Sequence, residues 1–204
     1  MIVAAVVSII ALSHHPSVHG HGAANLLAQM ARLRASDEVV HAIAIAAAGT
    51  QLAGLVVFSL RRGLRKATVV AALVAYAIGT GTIVAAAVID GFLIPGIAVR
   101  TDFASAGAAE TALALVRFAV IAVQACTKVA LVAMAVAIVL WSVDIVRGTV
   151  AVRATATVGF VAGAAMLAIA LFGGWISAHV VGAVGALATI WNVAIGALMI
   201  RRDV

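Results

Sequence analysis

Five stretches of this chain run for more than twenty residues on little but Ala, Val, Leu, Ile and Gly. That continuity constrains the fold more than any other feature. A helix of about 20 apolar residues spans a hydrocarbon core of about 30 Å, and it satisfies its own backbone polar groups while doing so. Strands of a membrane barrel would alternate polar and apolar residues over about ten positions, and these runs do not alternate. Hydrophobic residues make up 66% of the chain and charged residues 10%. A soluble domain sits near half apolar because it must cover its core with polar surface.

The sequence therefore predicts an all-α integral membrane protein with a single membrane domain over residues 1–204. It should be a bundle of about six transmembrane helices, with spans at about 1–13, 37–60, 67–89, 110–143, 154–176 and 177–200. The first apolar run is short, about 18 Å of helix at 1.5 Å per residue. It either ends inside the bundle, tilts in thinned lipid, or continues a segment upstream. Leu26, Met30 and Leu33 share a face between polar neighbours, so a short amphipathic interfacial helix is expected between the first and second spans. Ser36 reads as the N-cap of span two, with Asp37 and Glu38 in its first turn. Pro95 is expected to break the helix within an outer loop at 90–109. Gly159 and Gly163 form a small-xxx-small pattern that suits either packing inside the bundle or a dimer. Trp141 and Trp175 fall near the expected interfaces, where indoles are enriched.

Charge sets the orientation. Arg61, Arg62, Arg65 and Lys66 crowd one short loop at 61–66, Arg147 and Arg153 mark a second at 144–153, and Arg201 and Arg202 close the chain. Basic loops stay cytoplasmic. Both termini are then cytoplasmic in a bacterial inner membrane, and the outer loops are 14–36 and 90–109. The net charge of +6 reads as contact with anionic headgroups of the lipid bilayer, with no nucleic acid partner. The single cysteine, Cys126, allows no intrachain disulfide.

This topology puts all six histidines on the outer side. His14, His15, His19 and His21 lie in one polar stretch, His41 in the second span and His179 in the last. Imidazole is the commonest metal ligand, so the leading expectation is a transition-metal site, copper or zinc, at the periplasmic face. Asp90 and Glu110 are its candidate carboxylate ligands or supports. The function implied is metal handling or metal-dependent redox chemistry. Haem b held by His41 and His179 is the competing cofactor, and it would make the chain a haem- or quinone-linked redox or accessory subunit of a larger membrane complex. A homo-oligomer is also compatible.

A second constellation lies on the fourth span. Glu110, Arg117, Gln124 and Lys128 fall on one helical face. Charge within a membrane usually faces the bundle interior and marks a path. Gln51, Tyr76, Thr80 and Asn192 are candidates for the opposite wall. This reading makes the chain a transporter of a small anionic or amphipathic solute, centred on Arg117, Gln124 and Lys128. The spacing of Ser177 and His179, two residues apart on a helix, points the side chains apart and argues against a hydrolase.

Overall fold

A computed structural model describes residues 1–13, 18, 21–102, 105–176, 178–202 and 204. These residues are helical wherever they are regular, with no strand among them. The elements are α1 (Ile2–Ser13), α2 (Ala23–Arg62), α3 (Ala67–Val88), a π turn (Ile89–Leu93), α4 (Ile94–Val99), α5 (Ala106–Ile145), α6 (Val150–Phe172) and α7 (Ala178–Arg201). Five helices among the described residues are long and apolar enough to cross a membrane, and α1 is a shorter apolar helix. Their outward faces carry large exposed hydrophobic side chains such as Ile78, Phe118, Val161 and Leu171, as lipid-facing surfaces do.

The separate amphipathic helix does not exist: α2 runs unbroken for 40 residues. Residues 23–36 are mostly good helix formers with no glycine or proline among them. Ser36 sits mid-helix, where its hydroxyl donates to the Leu33 carbonyl, so Asp37 and Glu38 are not first-turn residues. Nor do the first turns of α2 lie flat at an interface. Leu27 is fully buried in a cluster with Ile94, Ala98, Leu113 and Val116, which ties α2 to α4 and to the start of α5. The helix ends at Gly63, whose φ of 97° favours glycine and whose N–H donates to the Ser59 carbonyl.

The stretch after Asp90 is also helical rather than a loop. Proline cannot donate to the carbonyl four residues back and its ring collides with it. Here the ladder slips, and the N–H of Ile94 donates to the Ile89 carbonyl through the π turn. Pro95 then falls in the first turn of α4, where no donor is needed.

Five helices pack around the interior together with α1, which lies against α2 and α7. Met1 sits against Gly54, and Ile2 against Gly196. Gly159 and Gly163 serve packing within the chain: a Cβ at Gly159 would stand 2.0 Å from Ser142 Oγ, and one at Gly163 would stand 2.5 Å from Val139 Cγ2. Trp141 is buried rather than interfacial. It stacks on Trp191 at 5.9 Å and meets Phe58 at 6.0 Å and Tyr76 at 5.7 Å. Trp175 is exposed.

Candidate functional site: a polar cavity at mid-depth

Two polar layers mark the ends of an apolar slab. At one end the Asp144 carboxylate accepts from Arg62 Nε at 2.6 Å and from Lys66 Nζ at 2.8 Å. Arg61 donates to the Met199 carbonyl at 2.7 Å. At the other end His41 is buried between two carboxylates. Its Nδ1 lies 3.1 Å from Asp37 Oδ1, and its Nε2 lies 3.4 Å from Asp90 Oδ2. Asp37 is one turn before His41 on α2, so helical spacing aims both side chains the same way. Asp90 arrives from the π turn. Gly91 makes this approach possible, since a Cβ there would lie 2.3 Å from His41 Cγ. His41 and Arg62 are 21 residues apart on one helix, about 32 Å at 1.5 Å per residue. That matches a hydrocarbon core of about 30 Å.

Gln51 falls about midway between these layers. There the interior helices line a partly open cavity of about 180 Å³. Its polar wall begins at Asn192 on α7, whose Nδ2 donates to Gln51 Oε1 at 3.0 Å. Gln51 Nε2 donates in turn to Ser8 Oγ at 2.9 Å, and Ser8 donates to the Ala4 carbonyl at 2.9 Å. Donation thus runs one way along three helices, α7 to α2 to α1. Such chains polarise each member. On α3 the Tyr76 hydroxyl engages the Asn192 side chain, and Thr80 lines the cavity one turn further on.

Asn192 Oδ1 and Thr80 Oγ1 are buried and have no hydrogen-bond partner among the described residues. The remaining lining is chiefly aliphatic, and no described lining residue is charged. Towards the His41 end the cavity is bounded by Ala44 and Ala87. Each sits three residues from a member of the His41–Asp90 pair, so that pair stands over this end. Towards the basic end, the rings of Phe58, Tyr76 and Trp191 pack around Trp141 and fill the core.

The expected metal-site residues distribute as follows. His14, His15 and His19 lie outside the described residues, as does the His179 side chain, although its backbone belongs to α7. His21 is exposed just before α2. His41 meets Asp90, while Glu110 is exposed near the start of α5. Among the described residues no group of three or more His, Cys, Asp or Glu side chains could hold a metal ion.

The expected stripe on α5 does not line the cavity. Arg117 is exposed and Lys128 half-buried. Arg117 stands 27 residues from Asp144, about 40 Å along the helix, and so beyond the level of His41. Gln124 is a clamp instead. Its Nε2 donates to the Ile176 carbonyl at 2.9 Å and its Oε1 accepts from the Ile176 N–H at 3.0 Å. A buried connection needs partners for its backbone groups, and Gln124 supplies both for Ile176. Gln51, Tyr76, Thr80 and Asn192 do meet at one place.

Sequence reasoning missed Ser8, Thr127 and Thr189 as lining residues and Asp37 as a partner of His41; it grouped Asp90 with His41 at the outer side, but as a support for a metal rather than as a direct partner of the imidazole. Lone hydroxyls in apolar helices were the available signal for the first three. The i,i+4 spacing of Asp37 and His41 was the signal for that pair, and for Asp90 it was the place at the outer end of the third apolar run. No protein family matches this chain, and no curated protein or solved structure is detectably similar to it.

Proposed function

We propose that this chain is a multi-pass carrier of a bacterial inner membrane that takes a small solute into the mid-depth cavity. It sits with its Arg61–Lys66 end in the cytoplasm. The observation behind the reading is a cavity of about 180 Å³ at the level where hydrocarbon is thickest. Buried polar groups there are costly without partners, and membrane transporters hold their substrates near the bilayer midplane. The neutral lining shifts the solute away from the anionic class that a site built on Arg117 and Lys128 would serve. Cys126 and Gln124 take no part. His41 with Asp37 and Asp90 forms the outer closure, and the aromatic cluster around Trp141 forms the inner one. Carriage requires each closure to open in turn.

Cysteine accessibility tests this. Gly185 lines the cavity, and a Cβ there meets nothing within 4 Å, so Gly185→Cys in a Cys126→Ser background should fold. A membrane-impermeant thiol reagent should label it from either side of oriented vesicles. Labelling from one side only, or from neither, would overturn the carrier reading.

A further inference from the structure

We infer that the cavity selects a neutral hydroxyl compound about the size of a single substituted ring, bound through Asn192 Oδ1 and Thr80 Oγ1. The inference rests on the cavity being a solute site, and it names the class of solute. Size comes first. A cavity of about 150 Å³ is enough to hold benzene, so about 180 Å³ holds a six-membered ring with one small substituent.

Charge comes second. No described lining residue carries one, and an unpaired ion in such surroundings would lose its hydration with nothing in return. Carboxylates and ammonium compounds are therefore excluded.

Hydrogen-bond direction comes third, and it separates a hydroxyl compound from a plain hydrocarbon. The relay from Asn192 through Gln51 and Ser8 to the Ala4 carbonyl uses donors at each step. Its head is left as a bare acceptor, Asn192 Oδ1, in a side chain 2% exposed. Thr80, 5% exposed, presents a hydroxyl that also has no partner among the described residues. It sits one turn from Tyr76, which engages the same Asn192 amide. A ligand hydroxyl donates one hydrogen bond and accepts another. It gives its proton to Asn192 Oδ1 and takes one from Thr80. The rest of the ligand packs on aliphatic side chains such as Ile83, Val84 and Met134.

The test is calorimetric titration of the purified full-length chain in detergent, with each heat corrected against empty micelles. The probes are phenol, toluene and benzoate. Phenol should bind saturably at one site, with toluene and benzoate at least about ten-fold weaker, one hydrogen bond or one buried charge being worth about that much. Asn192→Leu should weaken phenol about ten-fold and leave toluene no weaker. Thr80→Val, nearly isosteric, keeps the test available if the Asn192 variant does not fold, and it should weaken phenol several-fold. Toluene or benzoate binding as well as phenol would overturn the inference. So would phenol affinity unchanged in either variant, or no saturable binding of any probe. Sidedness separates the two proposals. Phenol selectivity with Gly185→Cys labelled from one side alone overturns the carrier and leaves the site. Labelling from both sides with benzoate preferred overturns only the solute class.

Discussion

Gly91 shows how much one missing methyl group positions. His41 fills the space a Cβ would take, at 2.3 Å from its Cγ, and the imidazole is thereby held between Asp37 and Asp90. Gly91→Ala must push the ring off both carboxylates. Overpacking of this kind costs about 1–3 kcal/mol, so the thermal midpoint of the detergent-purified protein should fall by several degrees. Adding His41→Gly removes the collision, which His41→Ala would not, because the His41 Cβ itself lies 2.4 Å from the added methyl group. The double variant should then lose less stability than the two single changes together, because residues in contact do not add. Strict additivity in that cycle would show that the two residues do not press on one another. Asp37 and His41 could be read as a pair from their spacing alone. Asp90 could not, because its approach depends on a slipped turn forced by a proline five residues later.

The elements are set by close packing and by a few polar clamps. Gln124 on α5 satisfies both backbone groups of Ile176, between α6 and α7. Gln124→Leu keeps the volume and orphans a buried N–H and a buried carbonyl, each costing about 1–3 kcal/mol. Thermal unfolding should fall accordingly, and Trp175, next to Ile176, should change its fluorescence. An unaltered midpoint would remove Gln124 from this role. Gly159 of α6 and Gly182 of α7 behave in opposite ways. Gly159→Val should prevent folding, since its Cβ would lie 2.0 Å from Ser142 Oγ and 2.6 Å from Trp191 Nε1. Gly182→Ala meets nothing within 4 Å and should be neutral or stabilising by up to about 1 kcal/mol, the helical preference of Ala over Gly. Equal behaviour of the two in a folding assay would contradict the packing described.

At the scale of the whole molecule, the two polar layers lie about 32 Å apart along α2 at 1.5 Å per residue, a spacing that suits a hydrocarbon core of about 30 Å. Arg65 and Arg147 lie at the Asp144 end and Thr101 at the other. In a Cys126→Ser background, cysteines at 65 and 147 should label only from the cytoplasm and a cysteine at 101 only from outside. The reverse pattern would invert the proposed orientation. Asp144→Asn removes the carboxylate that joins Arg62 and Lys66. The loss should be modest, on the order of 1–2 kcal/mol, and smaller in high salt, because Lys66 is half exposed and screened.

That the chain is all-helical, with helices long and apolar enough to cross a membrane, could be read from the sequence alone. Hydrophobic length and backbone satisfaction in lipid are properties of each segment by itself, so the apolar run 67–89 matches α3 nearly to the residue, whereas 154–176 lies four residues late on α6 at both ends. The amides of Gln51 and Asn192 were legible as polar groups in apolar helices for the same reason. What only the tertiary structure decided was which polar groups meet. Arg117, Gln124 and Lys128 share a face of α5, yet α5 is longer than the slab, so that face passes from the interior out beyond His41. Asn192, Gln51 and Ser8 come from helices far apart in sequence and form one relay. Periodicity reports a helix's own faces. The choice of neighbour for each face is made by packing between helices, and no single segment carries that information.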